Sequence, residues 1–358
     1  MEPQGAAQTG AVPATRPQTG IAPATRPQSG GPAPRSYGEA VARWGGKPYY
    51  SLNQYLQQTF HEKVYKLAVD GGFSCPNRDG TLGNRGCIFC SAGGSGDFAA
   101  RRELPFSEQI EAGKSLLRNK NTGIRYIAYF QAYTNTYAPL EQLRQIYTEA
   151  IAHPEVAALS IATRPDCLDE PVVRFLSGLS KIKPVFVELG LQTIHEATAR
   201  YIRRGYSLHC FEEALDLLKA YHLEVVVHTI LGLPGESPDD MIATARYLAG
   251  KNISGLKPQL LHVLKGTDLA EDYKKGLFHS LTLEEYTELL ISCIEVTHPQ
   301  TVIHRITGDG PKNLLIAPLW SGHKKYVMNY IHSEFKRRQT WQGKKGGSDS
   351  HDRLTDNL

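Results

Sequence analysis

Three cysteines stand close together, at positions 75, 87 and 90, inside the string CPNRDGTLGNRGCIFCS that covers residues 75–91. Thiolates grouped in this way hold metal ions or iron–sulfur clusters. Glycines at 80, 83 and 86 let the intervening backbone fold back, so that Cys75, Cys87 and Cys90 converge on one side. Phe73 and Phe89 are placed to shield such a cluster from water. The count of three is informative. A structural zinc site is ordinarily closed by a fourth Cys or His, whereas a cubane held by three thiolates leaves one iron open to an external ligand. The competing assignment is a Cys3His zinc ribbon closed by His61, which, however, precedes the strand leading into the loop. The remaining cysteines are isolated: Cys210 and Cys293 fall in helix-period stretches and read as core, and Cys167 as a small filler or a rim residue. Clustered thiols beside single ones indicate a reducing, cytoplasmic setting rather than a disulfide framework.

The elements that position this loop are alternating strands and helices. Runs of β-branched and aromatic residues at 64–69, 124–130, 157–161, 184–189, 224–230 and 256–263 predict six strands. Helix-period segments separate them: Leu140, Leu143, Ile146, Tyr147, Ala150 and Ile151 share one face, as do Phe211, Ala214, Leu215, Leu218 and Tyr221. Strands separated by helices pair in parallel with right-handed crossovers. Residues capable of chemistry follow several strand ends: Cys75, Gln131, Arg164, Glu188, His228 and Lys265. A site gathered from many strand ends is the logic of a barrel rim, and no G-x-G-x-x-G follows the first strand to suggest a dinucleotide sheet. The expected fold is therefore α/β, a partial (β/α)6 barrel. A carboxylate such as Glu188 inside an otherwise apolar strand is costly without a partner, which favours a role in the site.

The cysteine loop, its position after the first strand and the string CPNRDG…GCIFCSAGGSGDF resemble the radical S-adenosylmethionine (SAM) superfamily. The superfamily's usual spacing is C-x3-C-x2-C, and this chain departs from it with C-x11-C-x2-C. Long first gaps occur in the branch that holds the catalytic subunit of the Elongator complex and the YhcC/YtqA-type proteins, and the resemblance to the latter runs from about Arg43 to Gly343. It implies a partial TIM-like barrel, a 4Fe–4S cluster on Cys75, Cys87 and Cys90, and SAM chelating the open iron. An electron from a reduced flavodoxin or ferredoxin would then yield a 5′-deoxyadenosyl radical. Where the superfamily usually carries Gly-Gly-Glu, this chain has YFQAYTNTY, so Gln131, Thr134 and Asn135 are the expected substitutes that hold the SAM amino group; the alternative is an ordinary polar loop. The string ATRPDC is similar to the Elongator branch and offers Arg164 to the SAM carboxylate or a substrate phosphate, with Asp166 as a possible helix cap. Glu188 and Gln192 lie where relatives contact ribose or SAM. The RRGY turn at 203–206 resembles a family turn, although either arginine suits a solvated helix end. HTILGLPG matches the region that cradles adenine, with His228 as a site or core residue and Gly232 for close approach; VLKGT offers Lys265 to substrate. Glu188, His228 and Lys265 are the catalytic candidates, and Gln131, Thr134, Asn135, Arg164, Gln192 and Gly232 the cofactor-binding ones.

Composition narrows the remaining choices. With 41% hydrophobic and 21% charged residues in 358, the chain has the make-up of a globular protein, and no run of eighteen apolar residues predicts a membrane span. A net charge of +4 names no partner. QTGAVPATRP at 8–17 recurs as QTGIAPATRP at 18–27, within a low-complexity stretch that reads as a disordered tail and only faintly resembles a transit peptide. The expected organisation is a tail over 1–42, a barrel over 43–310, a basic aromatic helical extension over 311–345 and a second tail over 346–358. In that extension Lys324, Lys325, Lys336, Arg337, Arg338, Lys344 and Lys345 alternate with Trp320, Tyr326, Tyr330 and Trp341, a pattern suited to RNA or to a plain solvated face. Together with the resemblance it points to tRNA, and most concretely to rewriting a carboxymethylaminomethyl group as aminomethyl on the wobble uridine. The rivals are a radical SAM enzyme for a small molecule or peptide, a zinc-ribbon RNA-binding protein, and a non-catalytic scaffold.

Overall fold

The computed structural model describes residues 33–118, 123–308 and 310–346. Nine strands are present among the described residues: β1 (Tyr65–Val69), β2 (Tyr126–Phe130), β3 (Val156–Thr163), β4 (Val185–Gln192), β5 (Glu224–Leu231), β6 (Gly255–Leu260), β7 (Val263–Leu264), β8 (Val302–Ile303) and β9 (Leu315–Ala317). Seven of them form one parallel sheet in the order β1-β2-β3-β4-β5-β6-β8, and β7 pairs with β9 in a short antiparallel ribbon. The helices are α1 (Tyr37–Arg43), α2 (Leu52–Phe60), α3 (Phe106–Ser115), α4 (Leu140–Ala152), α5 (Glu170–Ser180), α6 (Glu196–Tyr201), α7 (Leu208–Ala220), α8 (Pro238–Ala249), α9 (Asp268–Lys274), α10 (Leu283–Val296) and α11 (Lys324–Arg337). This is the expected partial barrel, with each predicted strand present and a short seventh, β8, extending the sheet. Helix starts are set locally: capping boxes, Ser237 with Asp240 and Thr282 with Glu285, satisfy the first N–H groups of α8 and α10.

Side chains alternate across a strand, so the barrel interior is built in layers. The lowest layer is apolar. Ile127, Ala158, Phe186, Val226 and Val302 pack there against Trp44, Tyr50, Tyr55, Leu56 and Phe60, which come from α2 and the segment leading into it from α1. Each large side chain of this floor contributes about 2 kcal/mol of burial, and the floor closes the lower end. Two residues further along the strands come Lys66, Tyr129, Ser160, Glu188 and His228, a polar layer. Above it, Gln131, Ala162, Gly190, Ile230 and Gln259 line a cavity that opens toward the cysteine loop.

Two expectations about the ends need correction. The segment 1–42 is not tail throughout. Residues 1–32 lie outside the described region, but Ser36 caps α1, and Ala40 is fully buried in the barrel floor. The C-terminal extension is helical as expected, yet much of its charge is spent within the protein. Glu334 pairs with Arg337 and Arg338, Arg338 also reaches Glu288, and Lys345 reaches Glu295. Val327, Ile331 and Phe335 bury one face of α11 in the core, and Trp320 Nε1 donates to the Leu281 carbonyl. Lys324, Lys325 and Tyr326 remain exposed at its start. The second tail, apart from Gly346, lies outside the described residues.

Candidate active site

The loop after β1 folds back as its glycines require. Gly80 and Gly86 both have positive φ, and a Cβ on Gly86 would sit 2.9 Å from the Arg78 guanidinium. That close passage lets Arg78 donate to the carbonyls of Cys90 (3.0 Å) and Ser91 (2.6 Å), tying the two ends of the loop together. Asn77 Nδ2 donates to the Arg203 carbonyl at 2.8 Å and lies 3.5 Å from Cys87 Sγ. Gly205, also at positive φ, lets Asn77 and Arg164 approach the RRGY turn. Cys75, Cys87 and Cys90 thereby line one end of a single cavity of about 290 Å³. The donor set fits a cubane: three free thiols face the cavity, and a backbone amide network holds the loop around them. His61 caps the C-terminus of α2, a helix that packs into the floor at the opposite end of the barrel, so it does not complete a zinc ribbon with them.

Of the residues expected to face SAM, Gln131, Thr134, Arg164 and Gln192 line the same cavity. Gln192 follows a register shift between Gly190 and Gln192, has φ 67°, and buries its Oε1 without a hydrogen-bond partner. A buried, unsatisfied acceptor costs about 1–3 kcal/mol, so this atom is poised for a donor from a bound ligand. Arg164 differs from expectation. Its fork already grips Asp166 (2.9 and 2.7 Å), its third edge donates to the Arg204 carbonyl at 3.0 Å, and its guanidinium lies over Tyr206. Asp166 therefore holds Arg164, and Asp169 caps α5 instead. Arg204 is no solvated helix end either. It is 1% exposed and donates to the carbonyls of Leu191, Thr193 and Tyr206, fixing the bulge that presents Gln192.

Three candidates are not brought to the cavity. Asn135 is fully buried, its side chain donating to the Ala162 carbonyl at 2.8 Å and its own carbonyl accepting from Tyr147, so it braces β3 against α4. Gly232, at φ 93°, packs against Leu281 and gives its N–H to Met241 Sδ. Lys265 is exposed beyond β7, where its N–H donates to the Leu314 carbonyl. Family strings carried Gly232 and Lys265, and the missing Gly-Gly-Glu carried Asn135; the chain's turn geometry places all three elsewhere.

Glu188 and His228 are brought together, in company that sequence reasoning missed. The Glu188 side chain is fully buried and accepts from Lys66 and Lys257, from Ser160 Oγ at 2.5 Å and from His228 Nε2 at 2.6 Å. Burial acts to raise its pKa, but Lys257, Lys66 and His228 outweigh it and hold the carboxyl well below its ordinary range. Burial, then Lys257, pushes His228 down to about 4. The imidazole is therefore neutral, donating to Glu188 from Nε2 and facing Gln259 Nε2 at 3.2 Å from Nδ1. Burial brings Lys257 down to about 7 against the opposing pull of Glu188, and Lys66 and Lys257 lie over the Tyr129 ring at 4.7 and 4.4 Å. Lys66 and Lys257 had the same signal as Glu188: charged residues at inward positions of otherwise apolar strands.

Known proteins match this chain along most of its length. The family model described as Radical SAM superfamily matches residues 80–248, and the Radical_SAM C-terminal domain matches 253–337. A YtqA protein of Bacillus subtilis is 45% identical over 83% of this chain and 92% of its own length. A tRNA uridine(34) acetyltransferase of Dehalococcoides mccartyi is 27% identical over 55% of this chain and 43% of its own. In structure, the archaeal Elp3 of Methanocaldococcus infernus matches with a TM-score of 0.57 at 19% identity, over 76% of this chain and 63% of that one. Among the described residues no helix is long and apolar enough to cross a membrane. With three thiols at the mouth of a partial barrel and these matches beside them, the chain belongs to the radical SAM superfamily, whose cofactors are a 4Fe–4S cluster and S-adenosylmethionine, in the branch that contains YtqA.

Proposed function

We propose that this enzyme modifies the 5-substituent of the wobble uridine of tRNA, converting a carboxymethylaminomethyl group to aminomethyl. The observation that carries the reading is the single cavity that joins the three thiols to Glu188, His228 and Lys257. When bound, the cluster and SAM supply a 5′-deoxyadenosyl radical at the cysteine end. The chain's own groups do the rest. Cys75, Cys87 and Cys90 hold the cluster; Gln131, Thr134 and the unpartnered Gln192 Oε1 face the cofactor. Neutral His228, anchored by Glu188, sits between that region and the apolar floor below.

The choice of tRNA is supported by the relative whose name specifies uridine 34, by the Elongator-type fold, and by Lys324, Lys325 and Tyr326 exposed at the start of α11. As electron donor the reading takes a reduced flavodoxin or ferredoxin, and as compartment the cytoplasm, where thiols stay reduced. The test is anaerobic reconstitution and reduction, followed by quantifying 5′-deoxyadenosine from SAM with and without bulk tRNA. Turnover lost in Cys87→Ala/Cys90→Ala and stimulated by tRNA supports the reading. Turnover that ignores tRNA moves the substrate to a small molecule or peptide.

A further inference from the structure

We propose that the polar layer of the barrel is a receptacle for a substrate carboxylate, seated against Lys257 in the field of Lys66. The inference rests on the substrate reading above and names the group by which that substrate is gripped. Two amines face one resident carboxylate, Glu188, in this layer, so with both lysines protonated the three sum to +1 before the neutral His228 is counted. The Lys257 side chain is 7% exposed and that of Lys66 17%, and Lys257 lines the cavity. Arg305 lines it too, close enough to lower the pKa of both lysines. An excess of buried positive charge is expensive unless an anion joins it. The surrounding wall offers donors of other kinds, the Tyr129 hydroxyl 3.2 Å from Lys257 Nζ and the amide of Gln259.

The chemical class follows from the resident example. Glu188 shows what these amines accept: a planar carboxylate with one oxygen on Lys66 and the other on Lys257. Each ammonium has three N–H donors. Lys257, which lines the cavity, uses one on Glu188 and one on Tyr129 and has one left for a visitor, while Lys66, on Glu188 and Ser160 Oγ (3.0 Å), adds charge from behind the carboxylate. The floor of Phe186, Val226 and Tyr55 stops anything reaching deeper, so the anion must be the leading end of the ligand.

The experiment uses the full-length reconstituted holoenzyme with SAM and three probes: 5-carboxymethylaminomethyluridine, 5-methylaminomethyluridine, which lacks only the carboxylate, and uridine 5′-monophosphate. Affinities are read by ligand-observed NMR. The carboxylate nucleoside is expected to bind at least tenfold more tightly than the other two, and Lys257→Met to bring all three within about twofold. Equal affinities in the wild-type protein overturn the proposal whatever the variant does, so a misfolded variant does not shelter it. Preference for the monophosphate overturns the carboxylate assignment. A carboxylate preference without tRNA-stimulated 5′-deoxyadenosine formation keeps the receptacle and removes the tRNA reading, so the two fail separately.

Discussion

Positive charge gathers at the start and flanks of α11 on the surface and again in the polar layer inside the barrel. On α11 the charges come in a sequence run, and several are neutralised by Glu334, Glu288 and Glu295. Inside the barrel Lys66 and Lys257 are nearly two hundred residues apart, and share one fully buried carboxylate. The difference teaches that the worth of a charge is set by its dielectric surroundings and not by how many neighbours it has in the sequence. A surface ion is screened and replaceable; a buried one commits the residues around it.

The contrast is broken most sharply at Glu188. Glu188→Ala leaves two lysines buried without a counter-ion and is expected to cost about 3–5 kcal/mol, read by denaturant unfolding. A loss smaller than about 1 kcal/mol would mean that the layer is as forgiving as the surface. Next comes the triple change Lys66→Met/Glu188→Leu/Lys257→Met. It replaces the ions by apolar groups of similar size and should recover most of that stability. It should also abolish tRNA-dependent turnover, separating what the layer does for function from what it does for the fold.

A smaller effect follows from Lys257 itself. Its depressed pKa of about 7 means that the free protein loses this cation as pH rises through neutrality. Binding of an anionic substrate should therefore weaken between about pH 6 and 8.5, by no more than about tenfold per pH unit for this one group, and the slope should flatten in Lys257→Met. Of the groups that face it, His228 stays neutral across this window, Glu188 stays ionised, and Tyr129 keeps its proton. Lys66 is lowered as well and acts in the same sense.

On the surface the expected changes are the smallest. Lys324→Ala/Lys325→Ala should weaken tRNA binding several-fold and reduce the salt slope by about 1 for each phosphate left without its cation. Glu334→Ala should move Tm by less than about 2 °C, because its partner Arg337 is largely solvent-exposed and such pairs contribute little.

The same contrast explains what could be read before the fold was known. The cysteine loop was legible because its chemistry is local: three thiols and three glycines within sixteen residues. The strands were legible from their β-branched runs. The polar layer was only half legible, since Glu188 and His228 stand out in their strands, but their partners lie on β1 and β6, and only the closing of the sheet brings those strands within reach. Gln192 and Arg204 show the limit from the other side. Both were singled out, yet their roles depend on a bulge and a left-handed backbone turn that residue type does not announce. Lys265 belongs to a string that matches relatives and Asn135 to one that stands where a family motif is missing, but neither side chain lines the cavity, because a string specifies neighbours, not direction.

The aromatic floor sets the direction of traffic. With Tyr55, Phe186 and Val226 sealing the lower end, a ligand seated on Lys257 enters and leaves through the upper cavity, past the wall that faces the cofactor. The barrel is thus a blind shaft in which guest and cofactor share one vestibule, so each should slow the exchange of the other.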